Sequence, residues 1–310
     1  MKAIRMHDYG GPEVLKLEET LEPKVVTGEI MIQVKAAGVN PLDWKIRKGL
    51  YQTKYKTTLP AVLGWDVAGV VVSAGSNRFK EGDEVFAMAE IEKGGGYAEF
   101  IVMNEQWVSL KPKTLNFKEA AAVPLASLTA WQALFDVAKL QPNQKVLIHA
   151  ASGGVGSFAV QLAKNKDAYV IATTSSKNLD LVQSLGADEV IDYTHKDFSM
   201  HCQEMDVVLD PLGGDVQARS LKCLRKGGVL VTIVGLTTEN ETLANQLQVQ
   251  AIPMLVKPNG QTLAQIAQMI DDGKIKPIID SIVPFNEKEV QNAHRRSEEG
   301  HVKGKIVLYW

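Results

Sequence analysis

Cysteine is nearly absent from this chain of 310 residues: only Cys202 and Cys223 occur. Two thiols make neither a disulfide framework nor a four-cysteine zinc lobe. Charge of one sign is missing too. Thirty-four basic and 36 acidic side chains leave a net −2, so nothing marks a nucleic-acid or anionic-membrane partner. No run of about 18 apolar residues reads as a membrane span, and Met1-Lys2-Ala3-Ile4-Arg5 lacks the apolar core of a signal peptide. Repeats, low-complexity tracts and charged tails do not occur either. What remains is a soluble globular protein, expected in the cytoplasm. At this length, with 45% hydrophobic residues, it has enough chain for two cored domains.

The most informative stretch runs from Val146 to Ser157. Val146-Leu147-Ile148 is β-type, His149-Ala150-Ala151-Ser152-Gly153-Gly154 is a small-residue turn, and Val155, Ala159, Leu162 and Ala163 share one helical face. Strand, glycine turn and helix form the context of a dinucleotide-binding unit, where backbone N–H groups and a helix N-terminus meet a pyrophosphate. The G-x-G-x-x-G pattern is degenerate here, with Ala151 in place of its first glycine. A plain strand-to-helix turn is the competing reading of that motif alone.

The surrounding pattern supports the nucleotide reading. Strands are expected at 146–150, 169–173, 189–191, 207–210 and 229–234, with helices near 156–165, 178–185 and 215–225, an alternation that makes a parallel sheet covered by helices. The first hundred residues instead read as short strands, such as 29–37, 67–74 and 97–103, between Gly, Pro and Asp punctuation. Asn116 with Glu119 is a capping-box pattern that opens a helical stretch kinked or split by Pro124. After Lys257-Pro258-Asn259-Gly260, a helix faces inward through Leu263, Ile266, Ala267 and Ile270 and ends at Gly273. Asn286 with Glu289 caps a last helix, and 305–310 ends as a strand. The expected organisation is α/β: a Rossmann doubly wound parallel sheet at 122–257, inserted into a β-rich domain formed by 1–121 and 258–310.

Several separated segments then match a known family in order: Gly38-Val39-Asn40-Pro41-Leu42-Asp43-Trp44-Lys45, Leu63-Gly64-Trp65-Asp66-Val67-Ala68-Gly69-Val70, Glu81-Gly82-Asp83-Glu84-Val85, Gly95-Gly96-Tyr97-Ala98-Glu99, Ser127-Leu128-Thr129-Ala130, Leu185-Gly186-Ala187-Asp188 and Gly304-Lys305-Ile306-Val307-Leu308. With the glycine turn, they resemble the medium-chain dehydrogenase/reductase superfamily, in its zinc-free quinone oxidoreductase (zeta-crystallin-like) branch, over essentially the whole chain. The resemblance implies a GroES-like catalytic domain, a Rossmann domain and an active site in the cleft between them. In the zinc-dependent alcohol dehydrogenase branch, a Cys and a His occupy the segments matching 38–40 and 64–66. Here Val39, Asn40 and Trp65 stand there, and neither Val nor Trp ligates zinc. No metal is expected.

An NAD-binding unit places an acid about 20 residues past the glycine turn. This chain has Thr173-Thr174-Ser175-Ser176-Lys177 there; hydroxyls and a lysine suit a 2′-phosphate, so the expected cofactor is NADPH. The resemblance implies that Lys177 and Tyr193 hold that phosphate, beside Thr173, Ser175 and Ser176. Ser152, Gly153, Gly154, Val155 and Gly156 form the turn, and Val234 and Gly235 close the cofactor site. A Ser/Thr-rich turn with a solvated lysine is the bland alternative. Thr129 matches a position beside the nicotinamide, with helix back-bonding as its structural alternative. Asn40 and Asp43 match positions lining the cleft, although Asp43 equally suits a helix cap. Lys45 replaces a tyrosine of the relatives and leaves the proton donor open. Tyr51, Tyr55, Trp44 and Trp65 suit either an aromatic substrate wall or core packing; His149 reads as a satisfied core residue.

The expected reaction is hydride transfer from NADPH to a quinone or an α,β-unsaturated carbonyl, with backbone N–H groups, Lys45, a tyrosine hydroxyl or water answering the charge on the acceptor oxygen. The alternative is a non-catalytic NADPH-binding structural or accessory protein. The apolar segment Ala251-Ile252-Pro253-Met254-Leu255-Val256 would be a sheet edge, and its pairing predicts a homodimer.

Overall fold

The computed structural model describes residues 1–53, 57–75 and 77–310. Contacts divide the chain into two units, one of Met1–Leu128 with Lys257–Trp310 and one of Thr129–Val256.

The first unit begins with β1 (Lys2–Met6), β2 (Leu15–Glu19), β3 (Glu29–Val39), α1 (Pro41–Arg47), β4 (Ala61–Val62), β5 (Asp66–Ala74), β6 (Glu84–Met88), β7 (Phe100–Asn104), β8 (Val108–Leu110) and α2 (Phe117–Ala120). α3 (Pro124–Trp131) crosses the division. In the second unit follow β9 (Lys145–Ile148), α4 (Gly154–Asn165), β10 (Tyr169–Thr174), α5 (Leu179–Ser184), β11 (Glu189–Asp192), β12 (Met205–Asp210), α6 (Gly214–Cys223), β13 (Leu224–Thr232), α7 (Thr238–Leu247) and β14 (Gln250–Pro253). The chain returns to the first unit through α8 (Gly260–Asp271), β15 (Ile279–Pro284), α9 (Glu287–Glu299) and β16 (Lys305–Tyr309).

In the first unit, a sheet of order β15-β16-β3-β5-β6-β8, with β7 also on β3, lies beside a small sheet β2-β1-β4. Alternate residues of β3, Ile30, Ile32 and Val34, are buried, as period-2 patterning demands. The C-terminal strand β16 pairs antiparallel with β3, Ile306 opposite Val39. That register brings the last motif of the chain to the end of β3. Trp65 is core: it is 2% exposed and its Nε1–H donates to the carbonyls of Glu90 and Ile91. A substrate wall including Trp65 is therefore excluded. Tyr55 lies outside the described residues.

The second unit is a parallel sheet of order β11-β10-β9-β12-β13-β14. β14 is an edge, with Ala251 opposite Leu230 and Pro253 opposite Thr232. β13 starts earlier than its apolar run, because Leu224 already pairs with Met205.

Pro124 opens α3 at its first position. Its fixed φ is pre-organised there and its missing N–H is not needed, so it divides two helices and kinks none. Residues 132–137 continue as a π-helical turn. The helical run Phe117–Val137 is, by length and composition, long enough and apolar enough to cross a membrane, and most of it is buried in the protein. Its first part packs on β3 and β5 and its last on β12 and β13.

Candidate active site and nucleotide turn

In the first unit, Asn40 ends β3 and caps α1. Its backbone N–H donates to Asp43 Oδ2 at 3.0 Å in a capping box, so Asp43 does serve as a cap residue. Tyr97 O–H donates to the same oxygen at 2.5 Å. Asp43 Oδ1 has no partner among the described residues. Burial without full compensation pushes the Asp43 carboxyl up from 3.8 to about 7, and it holds the Tyr97 hydroxyl well above its ordinary range.

Asn40 also joins a buried charged cluster that local pattern does not reveal. Its Nδ2 donates to Asp66 Oδ2 at 2.9 Å, its Oδ1 accepts from Lys305 Nζ, and Lys305 Nζ donates to Asp66 Oδ2 at 2.8 Å. Asp66 Oδ1 accepts from the Leu125 N–H at 2.6 Å, at the start of α3. Lys305 is 4% exposed and Asp66 fully buried. Lys45 lies two residues beyond Asp43 on α1, half-buried, its ammonium 5.6 Å from the Trp44 ring. Burial lowers its pKa. A second buried group sits behind α1. Arg47 donates to the Gly10 carbonyl and to Glu298, and its guanidinium lies 3.3 Å from His294 Nδ1. Burial drives His294 down to about 3.

The raised Asp43 carboxyl makes stability depend on pH in a defined sense. The folded chain holds this proton more tightly than the unfolded chain. The Asp43 contribution is therefore full below about pH 4 and is lost as pH rises to about 7. The buried histidines run oppositely, losing stability as pH falls below 6.5. Subtracting the pH profile of Asp43→Asn from that of the wild type isolates the carboxyl. The stability difference should fall as pH rises from 4 to 7; a flat difference across that window would contradict the buried, neutral-leaning Asp43.

In the second unit, β9 feeds the turn and Gly153 caps α4 with no side-chain hydrogen bond. The first helical bond runs from Ser157 N–H to the Gly153 carbonyl, leaving the N–H groups of Gly154, Val155 and Gly156 outside the helical ladder. Ala150 takes φ +49°, a strained setting of the kind found at functional turns. A Cβ on Gly156 would stand 2.3 Å from the Ala150 carbonyl oxygen. Thr174 O–H and Asn178 N–H both donate to Ser152 Oγ, so the Ser152 hydrogen is directed elsewhere.

Thr173 does not face this turn. It is buried, and its hydroxyl meets His149 Nδ1 at 2.9 Å; Thr174 takes the place beside Ser152. Ser220 O–H donates to the Val216 carbonyl, so it accepts from His149 Nε2–H, and His149 is a satisfied core histidine held neutral, its pKa lowered to about 4 by burial. Ser176 is likewise committed: its O–H and that of Thr194 both donate to Asp192, whose carboxyl they lower. Ser175 is half-buried, while Lys177 is exposed and has no hydrogen-bond or ion-pair partner among the described residues. Tyr193 is 49% exposed at the end of β11. Gly235, at φ +113°, follows Val234, and its carbonyl accepts from Gln217 Nε2, which also donates to Asp210. Asn240 donates to Gln217. Sequence reading missed Asn178, Gln217 and Asn240; only their offsets after the strands offered a signal. Thr129 is buried on α3 in this unit. The structure thus gathers Asn40 and Asp43 with Asp66, Tyr97 and Lys305, and gathers Ser152 with Thr174 and Asn178.

Comparison with known proteins gives concordant matches. Residues 26–113 match the alcohol dehydrogenase GroES-like domain, and residues 185–308 match a family described as zinc-binding dehydrogenase. The chain is 38% identical to a 2-methylene-furan-3-one reductase of Solanum lycopersicum, over 100% of this chain and 79% of the relative. It is 38% identical, with the same coverage, to an NADPH-dependent alkenal/one oxidoreductase of Arabidopsis thaliana. The solved quinone oxidoreductase of Coxiella burnetii superposes with a TM-score of 0.93 at 36% identity, covering 100% of this chain and 99% of that one.

The description "zinc-binding" does not fit the side chains present. Val39 and Trp65 offer no ligand, and Asp66 already accepts from an ammonium, an amide and a backbone N–H. Among the described residues, no group of three His, Cys, Asp or Glu side chains is placed to hold a metal ion.

Proposed function

The chain belongs to the quinone oxidoreductase branch of the medium-chain dehydrogenase/reductase superfamily, and from that premise we propose that it transfers hydride from NADPH to quinones or α,β-unsaturated carbonyls without zinc. The observation that carries this reading is the nucleotide turn: three N–H groups at the start of α4 outside the helical ladder, a Ser152 hydroxyl free to donate, and Lys177 just past β10, unpartnered among the described residues. Bound reduced nicotinamide supplies a hydride, two electrons at once.

The residues of this chain do the rest. Gly153–Gly156 and Ser152 would hold the pyrophosphate, and Lys177 with Tyr193 and Ser175 the 2′-phosphate. Thr129, Val234 and Gly235 would orient the nicotinamide, the last held by Gln217. Asn40 would face the acceptor oxygen. Reduction of an enone places the hydride on the β-carbon and a proton on the α-carbon. Lys45 is suited to give that proton, because its burial already disfavours the ammonium. The relatives named for furanone, alkenal and quinone substrates support an acceptor whose oxyanion is stabilised by conjugation, which lets the reaction proceed without a Lewis acid.

The test is a panel of quinones, enones and unconjugated aldehydes and ketones, assayed with NADPH and with NADH in strong chelator. Consumption of NADPH by quinones or enones, unaffected by the chelator and faster than that of NADH, is expected. Activity confined to unconjugated aldehydes and ketones, or lost on chelation, would refute the proposal. Binding of NADPH with no turnover on any acceptor would favour the non-catalytic reading.

A further inference from the structure

Resting on the hydride-transfer reading above, we infer that Lys305 is a positioning residue for the acceptor: it fixes the Asn40 amide so that one Nδ2–H is left to donate to the acceptor's carbonyl oxygen. Hydrogen-bond capacity decides which way the Asn40 amide points. Asn40 Oδ1 faces the Lys305 ammonium, which can only donate. Asn40 Nδ2 faces Asp66 Oδ2 at 2.9 Å, and that carboxylate only accepts. A flipped amide would set N–H against ammonium and oxygen against oxygen, so one orientation is allowed. One Nδ2 hydrogen goes to Asp66; the other has no acceptor among the described residues.

The ammonium on Oδ1 also polarises the amide, which makes the remaining N–H a stronger donor in a buried setting. Register explains how the cluster assembles. Ile306 pairs with Val39 and Gly38 with Asp66, so the ends of β16, β3 and β5 meet at one place. Asp66 also caps the start of α3, the helix that continues to Thr129.

Removing Lys305 alone would strand a buried carboxylate, and removing Asp66 alone would strand a buried ammonium; either endangers folding. The decisive comparison is therefore between two uncharged double variants: Lys305→Gln/Asp66→Asn, which keeps an N–H donor toward Asn40 Oδ1, and Lys305→Met/Asp66→Asn, which has none. Each is measured for melting temperature, for NADPH affinity by fluorescence titration, and for single-turnover NADPH oxidation with a saturating quinone. Both variants should fold and bind NADPH within about twofold of wild type, since the turn lies in the other unit. The Met variant should transfer hydride at least about tenfold more slowly than the Gln variant, the scale expected when a donor to a developing oxyanion loses its direction. Equal rates in the two variants would overturn the inference and leave Lys305 as a charge partner of Asp66. An inactive wild type would refute the hydride-transfer reading instead. The crystal structure of the Met variant would then decide the positioning role: the Asn40 amide must have rotated, and an unmoved amide contradicts it.

Discussion

Gly156→Ala should weaken NADPH binding at least about tenfold and lower the melting temperature by several degrees. The added Cβ would lie 2.3 Å from the Ala150 carbonyl oxygen, 2.7 Å from Ala151 Cα and 2.9 Å from the Ala150 carbonyl carbon. All three are backbone atoms, so no side chain can swing away. Relief requires the first turn of α4 to move off the end of β9. Overpacking of this kind costs about 1–3 kcal/mol, and it shifts the N–H groups of Gly154, Val155 and Gly156 from the place where a pyrophosphate would meet them. The strain that Ala150 already carries at φ +49° leaves the turn little room to adapt. Isothermal titration and thermal unfolding check this. An affinity and melting temperature equal to those of the wild type would mean that the turn accommodates a side chain, and that this close approach is not what shapes it.

The second large effect is cofactor discrimination. Lys177→Ala should weaken NADPH binding by about 10- to 150-fold, the usual range for losing one charge-assisted partner of a phosphate, and leave NADH nearly unchanged. Ser176 cannot take over, because its hydroxyl donates to Asp192. The Asp192 carboxylate stays charged under four donors from Ser176, Thr194 and His195. Its negative charge makes the lysine more important to a bound phosphate, not less. Lys177 is exposed, so the NADPH preference of the wild type should shrink as salt rises while that of the variant stays flat. Equal losses for both cofactors would show damage to the turn. An unchanged NADPH affinity would move the 2′-phosphate contact to Tyr193 or Ser175.

Much of the fold in both units was legible because its signals are local. The apolar run into Ser152-Gly153-Gly154, the Asn116–Glu119 capping box and the Gly273 stop each lie within a few residues, where backbone sterics and helix ends dictate the choice. The facing of Thr173 and Thr174 was less accessible. Both belong to a strand covered on two sides, so alternation does not tell the core side from the cofactor side. The Asn40–Asp66–Lys305 cluster was the hardest to foresee. Lys305 lies 265 positions from Asn40 and 239 from Asp66, and only the pairing of β16 with β3 brings them together. Composition counts such a lysine as an ordinary surface charge. Trp65 failed for a related reason: an aromatic at a motif position reads the same in sequence whether it lines a site or fills a core.

Zinc-free hydride transfer is read out by following the transferred hydrogen. Enzyme in strong chelator is incubated with NADPH carrying deuterium at the transferring C4 position and with an α,β-unsaturated ketone, and the product is examined by mass spectrometry and NMR. One deuterium per product molecule is expected, on the carbon that was β to the carbonyl, with solvent hydrogen on the α-carbon. Unlabelled product, label on the carbonyl carbon, or turnover abolished by the chelator would contradict it.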